Sequence, residues 1–469
     1  MKRRTWFKTS AAALAGVAIS RRTMAQNNLH SDDPYGRLNY KPDKKYVLDP
    51  KVDRIPQKNE EFNESLVFQD EATGRLTRRL TSYRQFNQKP TYHLNDGFSK
   101  DNKHLCFMTW NPEGGSALVR ADIETGDCKV IDSSKPGAQQ RFRGQGFQMI
   151  PDSNLVSMGG TDLVFYDIFT MEKQVIYKNN KNDKTRYSRV TGSCDGKVYF
   201  TTKNDHDFDY RRDMGEKDPY KMAGGSVYTL DINAGKLTEV FRSDKGRVSH
   251  VITNPVYPEL FLFVVDFPPT YSHGSDEGNT ERAYIFNMKT GKATPVRHLN
   301  KCKFTWHANW SFDGKHVYFH GPSLNETPAE KTKRAGKEYN WPYKGLKGIE
   351  QSHYIGNGEH FIGVADLNGE VVWEHTYPVC AYGHVSSNTQ KNMIIVDNLI
   401  TYEYLTGIHW EDLNADGLPM IEILAKHNST FAPGAQTRHP HTQMTWDGKW
   451  MSYNSQFYDK SDVYVVKMN

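Results

Sequence analysis

One phrase recurs along this chain: a strand, a turn built on Asp-Gly or a close relative, then an aromatic-rich strand. A repeat of that kind admits few folds. It reads Ser99-Lys-Asp101-Asn-Lys-His-Leu-Cys-Phe, Pro151-Asp152-Ser-Asn-Leu-Val, Cys194-Asp195-Gly-Lys-Val-Tyr-Phe, Phe312-Asp313-Gly-Lys-His-Val-Tyr-Phe and Trp446-Asp447-Gly-Lys-Trp-Met-Ser-Tyr. Weaker copies lie at Tyr257-Pro-Glu-Leu-Phe-Leu-Phe and Thr389-Gln-Lys-Asn-Met-Ile-Ile-Val. Behind each copy come a third strand and a second turn, as in Ala121-Asp-Ile-Glu-Thr-Gly126, Leu230-Asp-Ile-Asn-Ala-Gly235 and Phe286-Asn-Met-Lys-Thr-Gly291. Asp and Gly favour such turns because Asp bonds its own backbone and Gly accepts a positive φ. Four short strands per unit, repeated about seven times, predict an all-β, seven-bladed β-propeller. No stretch carries a sustained apolar period of 3.6 residues, so few helices are expected.

The ends of the repeat fit together. Leu66–Leu80 reads as strand, turn and strand with no opening strands of its own, and the last unit, ending at Asp462-Val-Tyr-Val-Val-Lys-Met468, lacks a final strand. Joining the two halves closes the ring and removes free sheet edges. Residues 61–469 are therefore assigned to the propeller and residues 26–60, polar and rich in Pro and Lys, to an N-terminal arm. The stretch 322–350, rich in Lys, Glu and Gly, reads as an insertion in one blade.

Counting back six residues from each turn reaches the start of the innermost strand, which lines the central channel. The residues there are Asn95, Gly146, Arg189, His250, His307, His384 and His441. Core filling would place small or apolar side chains at those positions; four histidines and an arginine point instead to a polar site on the axis. Near the C-terminus, Gln436-Thr-Arg-His439-Pro440-His441 adds a second histidine and a carboxamide. On an extended segment side chains at i and i+2 share a face, and Pro440 bars a helix, so both imidazoles can reach one ion. His307, His439, His441 and Gln436 form a candidate metal site with positions left for water or substrate. Ligand type alone admits zinc, manganese, nickel or iron.

Residues 1–25 resemble an export signal: Arg3-Arg4-Thr-Trp-Phe-Lys8, an apolar run from Ala11 to Ile19, and Thr23-Met24-Ala25 before cleavage. The apolar run is too short to span a bilayer. The paired arginines suit a twin-arginine signal, with an ordinary secretory signal as the alternative. A periplasmic or secreted protein is expected either way. Removing the six basic residues of this segment from the 60 Lys and Arg leaves 54 against 55 Asp and Glu. The mature chain is thus nearly neutral, without the basic stripe that nucleic-acid binding needs. Five scattered cysteines, Cys106, Cys128, Cys194, Cys302 and Cys380, exclude a disulfide scaffold and a zinc knuckle. Asp412-Leu-Asn414-Ala-Asp416-Gly417 matches the first half of a calcium loop, but the closing glutamate position holds Ile423, so the run reads as a polar turn.

Several of these motifs together resemble the oligogalacturonate lyase family. The likeness rests on Gln436-x-x-His439-Pro-His441 before the last Asp-Gly turn and on His427-Asn-Ser429 upstream. Trp306-His307-Ala-Asn-Trp-Ser-Phe-Asp-Gly, Phe361-Ile-Gly-Val-Ala-Asp-Leu-Asn-Gly369 and Gly383-His384-Val-Ser complete it. It covers roughly the C-terminal half. It implies a seven-bladed propeller that cleaves uronate oligosaccharides by β-elimination, with manganese held by His307, Gln436, His439 and His441; zinc or another divalent ion is the alternative. By the same resemblance His250 is the base; of the inner-strand register residues, Arg189 is expected to hold a carboxylate or stabilise charge as a catalytic residue, and His384 to bind substrate. One departure stands out: the family's functional arginine before Val227-Tyr-Thr-Leu-Asp231 is replaced by Ala223-Gly-Gly-Ser226, leaving Arg189, Arg211, Arg212 or Lys221 as substitutes. A different uronate glycan, such as ulvan, fits the same chemistry. The competing expectation is a non-catalytic periplasmic propeller that binds a protein or glycan.

Overall fold

The computed structural model describes residues 54–82, 86–89, 97–111, 115–134, 146–180, 183, 186–205, 224–244, 246–266, 281–297, 305–323, 359–377, 383–397, 403–427, 429, 439–457 and 460–468. The export signal, most of the arm, nearly all of the 322–350 insertion, Asn95, Arg211, Arg212, Lys221, Gln436, Cys302 and Cys380 lie outside these residues. Among the described residues every helix or strand element is a strand, and no helix is long and apolar enough to cross a membrane.

The strands form a seven-bladed propeller. Five blades are separate four-stranded antiparallel sheets, each with its strands in chain order. Blades one and seven are joined where the ring closes. There, N-terminal strand Leu76–Arg79 pairs with C-terminal strand Lys460–Lys467 through Thr77–Val466, Arg78–Val465 and Arg79–Tyr464. The next segment, Phe86–Gln88, bridges onward from Ser461 to the second strand of blade one. Immediately after the arm, Glu61 and Phe62 add an outer strand to blade one by pairing with Lys129 and Cys128.

The recurring phrase builds the same turn in blades one, three, five and seven. In blades three, five and seven, Ser193, Ser311 and Thr445 give their hydroxyls to Asp195, Asp313 and Asp447 at 2.6–2.7 Å. Each carboxylate accepts the backbone N–H of the lysine two residues on, and the glycine between them takes φ near +70°. Blade one uses Ser99 and Asp101 likewise, with Asn102 at φ 61° in the glycine's place. Only glycine, and asparagine more readily than most residues, tolerates that region, which explains why the turn residues hardly vary. The Asp412–Gly417 run forms a hairpin turn, Asn414 Oδ1 accepting from the Asp416 and Leu418 N–H groups.

Side-chain alternation then fills the spaces between blades. Leu105 and Phe107 pack toward blade seven, whereas Cys106 and Met108, pointing the other way, pack toward blade two. Ile394 and Val396 meet blade five, and Ile395 meets blade seven. Seven hydrophobic clusters result, one at each blade interface, the seventh spanning the closure. Each large aliphatic or aromatic side chain buried there stabilises the ring by about 1.5–3 kcal/mol. The core is therefore an annulus, and the axis is left to polar side chains.

Candidate metal centre and active site

The histidines of blades five, six and seven meet on the axis. His307 and His384 open their inner strands, His307–Trp310 and His384–Ser387, and His441 precedes Gln443–Met444 by two residues. His384, His439 and His441 are all buried, and one nitrogen from each lies within 4.8 Å of the others. The Nε2 atoms of His384 and His441 stand 3.2 Å apart. Two nitrogens held about 2.1 Å from one ion are separated by roughly 3.0–3.4 Å, so this spacing suits a shared cation.

Asp397 organises the group from behind. It is fully buried at the end of the second strand of blade six, directly across from His384. His384 Nδ1 lies 3.1 Å from Oδ2, and each carboxylate oxygen also accepts a backbone N–H, from His384 at Oδ1 and from His441 at Oδ2 (2.9 Å). A carboxylate accepting from Nδ1–H leaves the lone pair on Nε2, the arrangement found behind many metal-bound histidines. Burial pushes the Asp397 carboxyl up, but the His384 ring and these hydrogen bonds outweigh it, so its pKa falls below the usual value. Burial holds His441 well below the ordinary imidazole range, which keeps it neutral, the form that binds a metal. Lys89, completely buried just after the closing strand, donates its Nζ proton to the His441 carbonyl and so ties ring closure to the centre.

His441 departs from the extended backbone that its i, i+2 spacing with His439 implies. Its φ is +48°, in the left-handed region, and its ring lies 5.5 Å from that of His439. The two imidazoles converge because the chain is bent, not because a strand alternates.

His307 adjoins this group without being part of its tight core. Its ring centroid is 4.6 Å from that of His384, and its Nδ1 is 2.8 Å from His320 Nε2. His307 also shares with His250 and Arg282 the lining of a cavity of about 10 Å³, near the least that admits one water.

His250 sits at a β-bulge: the pairing of Arg247–Thr253 shifts register between Ser249 and Ile252. Its φ of +55° is rare for a residue other than glycine, and strained backbone of this kind gathers at functional sites. The bulge re-aims the side chain, as bulges do. Ser249 Oγ lies 2.7 Å from its Nδ1. Burial first, then the charges of Arg282, Arg189 and Arg247, hold the His250 pKa well below its ordinary value. Arg189 is anchored by a 2.6 Å bond from Nε to Gln148 Oε1. Arg282, only 6% exposed, precedes the third strand of blade four.

No family model matches the chain, and no curated protein matches it in sequence. Solved structures do. An oligogalacturonate lyase in complex with manganese aligns over 88% of this chain and 99% of its own, with a TM-score of 0.63 at 17% identity. An oligogalacturonate lyase from Vibrio parahaemolyticus gives the same coverage and TM-score at 18% identity. The chain folds like an oligogalacturonate lyase. That likeness extends around the whole lyase propeller, beyond the C-terminal half in which the motifs were legible.

The structure brings His384 to the metal-type cluster with His439 and His441, a different place from the substrate contact expected of it from sequence. Gln436 falls outside the described residues. Asp397, Arg282, Lys89 and the pair His320 and His360 were missed. The first had a signal: Asp397 follows His384 by thirteen residues, the same offset that pairs His307 with His320 across a hairpin.

Proposed function

We propose that this protein is an exported, divalent-metal-dependent lyase that cleaves uronic-acid glycans by β-elimination and leaves a 4,5-unsaturated uronate end. The observation that carries this reading is a cluster of three buried imidazoles next to a separate neutral histidine surrounded by arginines. The likeness of the whole ring to oligogalacturonate lyases, one of them in complex with manganese, supports it.

His384, His439 and His441 would hold the cation, with His307 adjoining and Gln436 assigned by the family motif. A bound divalent ion, manganese before zinc, supplies positive charge to the uronate carboxylate and so makes the C5 proton more acidic. The remaining steps belong to the chain itself. His250, kept neutral by burial and positive neighbours, accepts the C5 proton. With Nδ1–H donating to Ser249 Oγ, the lone pair lies on Nε2, the nitrogen assigned to that transfer. Arg282 and Arg189 present planar donor forks that bind a carboxylate and remain positive while negative charge builds on it. Arg282 thereby takes the role left open by Ala223-Gly-Gly-Ser226. Cleavage of the bond to O4 then follows, and the leaving oxygen takes a proton from water. Oligogalacturonate is the first substrate class to test, with ulvan and other glucuronate-containing glycans next. The export assignment rests on residues 1–25 alone, and fractionation of expressing cells tests it.

The test of function is direct. Manganese-reconstituted protein is incubated with a panel of uronate glycans while absorbance of the new double bond is followed. Product that depends on both metal and His250 is expected. A silent panel together with tight binding of an unmodified glycan or a protein would favour the non-catalytic propeller.

A further inference from the structure

Three histidines of blade five form a continuous hydrogen-bonded line that the metal cluster does not include. His307 Nδ1 lies 2.8 Å from His320 Nε2, and His320 Nδ1 lies 2.7 Å from His360 Nε2. The first two face each other across the inner hairpin, and His360 comes from the adjacent third strand. His320 and His360 are completely buried, and the Trp306 ring packs edge-on against both. The backbone of Gly383, next to His384, also hydrogen-bonds to His320, so the middle ring is tied to blade six.

A neutral imidazole carries one donor and one acceptor. In a row of neutral rings bonded Nδ1 to Nε2, the proton position of one ring therefore dictates that of the next. Each of the two N···N contacts, at 2.8 and 2.7 Å, needs one donor and one acceptor, which a run of neutral rings supplies. Two arrangements are possible, one with every proton on Nδ1 and one with every proton on Nε2. The surroundings of His307 discriminate between them. Its cavity is shared with Arg282, whose guanidinium only donates and whose charge acts on the ring, and such a positive neighbour favours a lone pair over an N–H on the nitrogen not bonded to His320.

We propose that His320 and His360 are positioning residues that hold the His307 proton on Nδ1, so that Nε2 presents its lone pair to the central site. Neither residue touches substrate in this assignment. They act through His307, much as Asp397 acts through His384. The proposal rests on His307 belonging to the site described above.

Two readouts test it, and the first does not require the protein to be a lyase or to bind metal. Nitrogen-15 NMR of the imidazoles in metal-free protein reports which nitrogen carries the proton. In the wild type His307 is expected as the Nδ1–H form, and in His320→Leu that bias is expected to disappear. The second readout is manganese affinity by calorimetry. If His307 is the further cation ligand that the family motif assigns, loss of its outer hydrogen bond is expected to lower affinity by about 10–100-fold in His320→Leu. His320→Gln, which keeps an acceptor and a donor, is expected to retain affinity close to wild type, and His360→Leu to fall between. A wild-type His307 protonated on Nε2 would overturn the proposal, as would equal losses in the Leu and Gln variants. If His320→Leu does not fold, the wild-type tautomer decides alone. Absence of lyase activity with an Nδ1–H His307 would remove the proposed function and leave the positioning role standing.

Discussion

Changing Asp397 to asparagine alters almost no volume, yet neither orientation of the amide satisfies the groups around it. One carboxylate oxygen accepts the backbone N–H of His384 and the other that of His441, and the side chain is fully buried. Whichever way the amide turns, its NH2 confronts a backbone N–H that cannot become an acceptor. A buried donor left without an acceptor costs about 1–3 kcal/mol, which corresponds to roughly 5- to 150-fold in an equilibrium constant. The negative charge that favours Nδ1–H on His384 disappears as well, so the Nε2 lone pair is no longer enforced. Asp397→Asn is therefore expected to unfold at lower denaturant than wild type and to bind manganese about 10–100-fold more weakly. Calorimetric titration of metal-free protein and equilibrium denaturation at fixed pH measure the two effects separately. Wild-type manganese affinity in a well-folded Asp397→Asn protein would refute the view that Asp397 orients the cluster.

His250→Ala is expected to abolish unsaturated product while metal content, measured by mass spectrometry, stays at the wild-type level; retained turnover would remove His250 from the mechanism. Arg282→Met is expected to lower kcat/KM by about 10²–10³-fold, the scale for losing one charge-stabilising donor, with manganese affinity unchanged. Stability is expected to depend on pH in a defined direction. Burial lowers the folded-state pKa of His250, His307, His320 and His441, and takes His360 to about 3 and His427 to about 4. Below about pH 6.5 the unfolded chain binds more protons at these rings than the folded one, so their contribution is complete above that pH and is lost as pH falls through it. Each ring can remove up to about 1.4 kcal/mol per pH unit. Denaturation midpoints of metal-free protein that do not change between pH 7.5 and 5 would contradict this.

The propeller was legible because its turns obey local chemistry. A hydroxyl–Asp–Gly turn is satisfied within seven residues and looks the same in blades three, five and seven, so Ser311 to Lys315 announces a hairpin without reference to the rest of the chain. Closure was legible for a related reason: the end of the chain lacked a strand that the beginning supplied. The inner-strand register likewise brought out His250, His307, His384 and His441. Residues whose importance comes from pairing across strands were harder to see. Asp397 ends an ordinary apolar strand, and His320 and His360 sit beside core residues such as Phe319 and Phe361. Arg282 precedes a strand that carries no motif, and only the folding of blade four against blade five sets it beside His250 and His307. The bend at His441 was invisible because a positive φ in histidine leaves no trace in the spacing of His439 and His441.

The most direct measurement is a crystal structure of manganese-loaded protein with anomalous data collected at the manganese edge. A single strong peak within bonding distance of His384, His439 and His441 is predicted, with the Asp397 carboxylate still on His384 Nδ1. A peak bound by other residues, or none at full manganese occupancy in solution, would contradict the account.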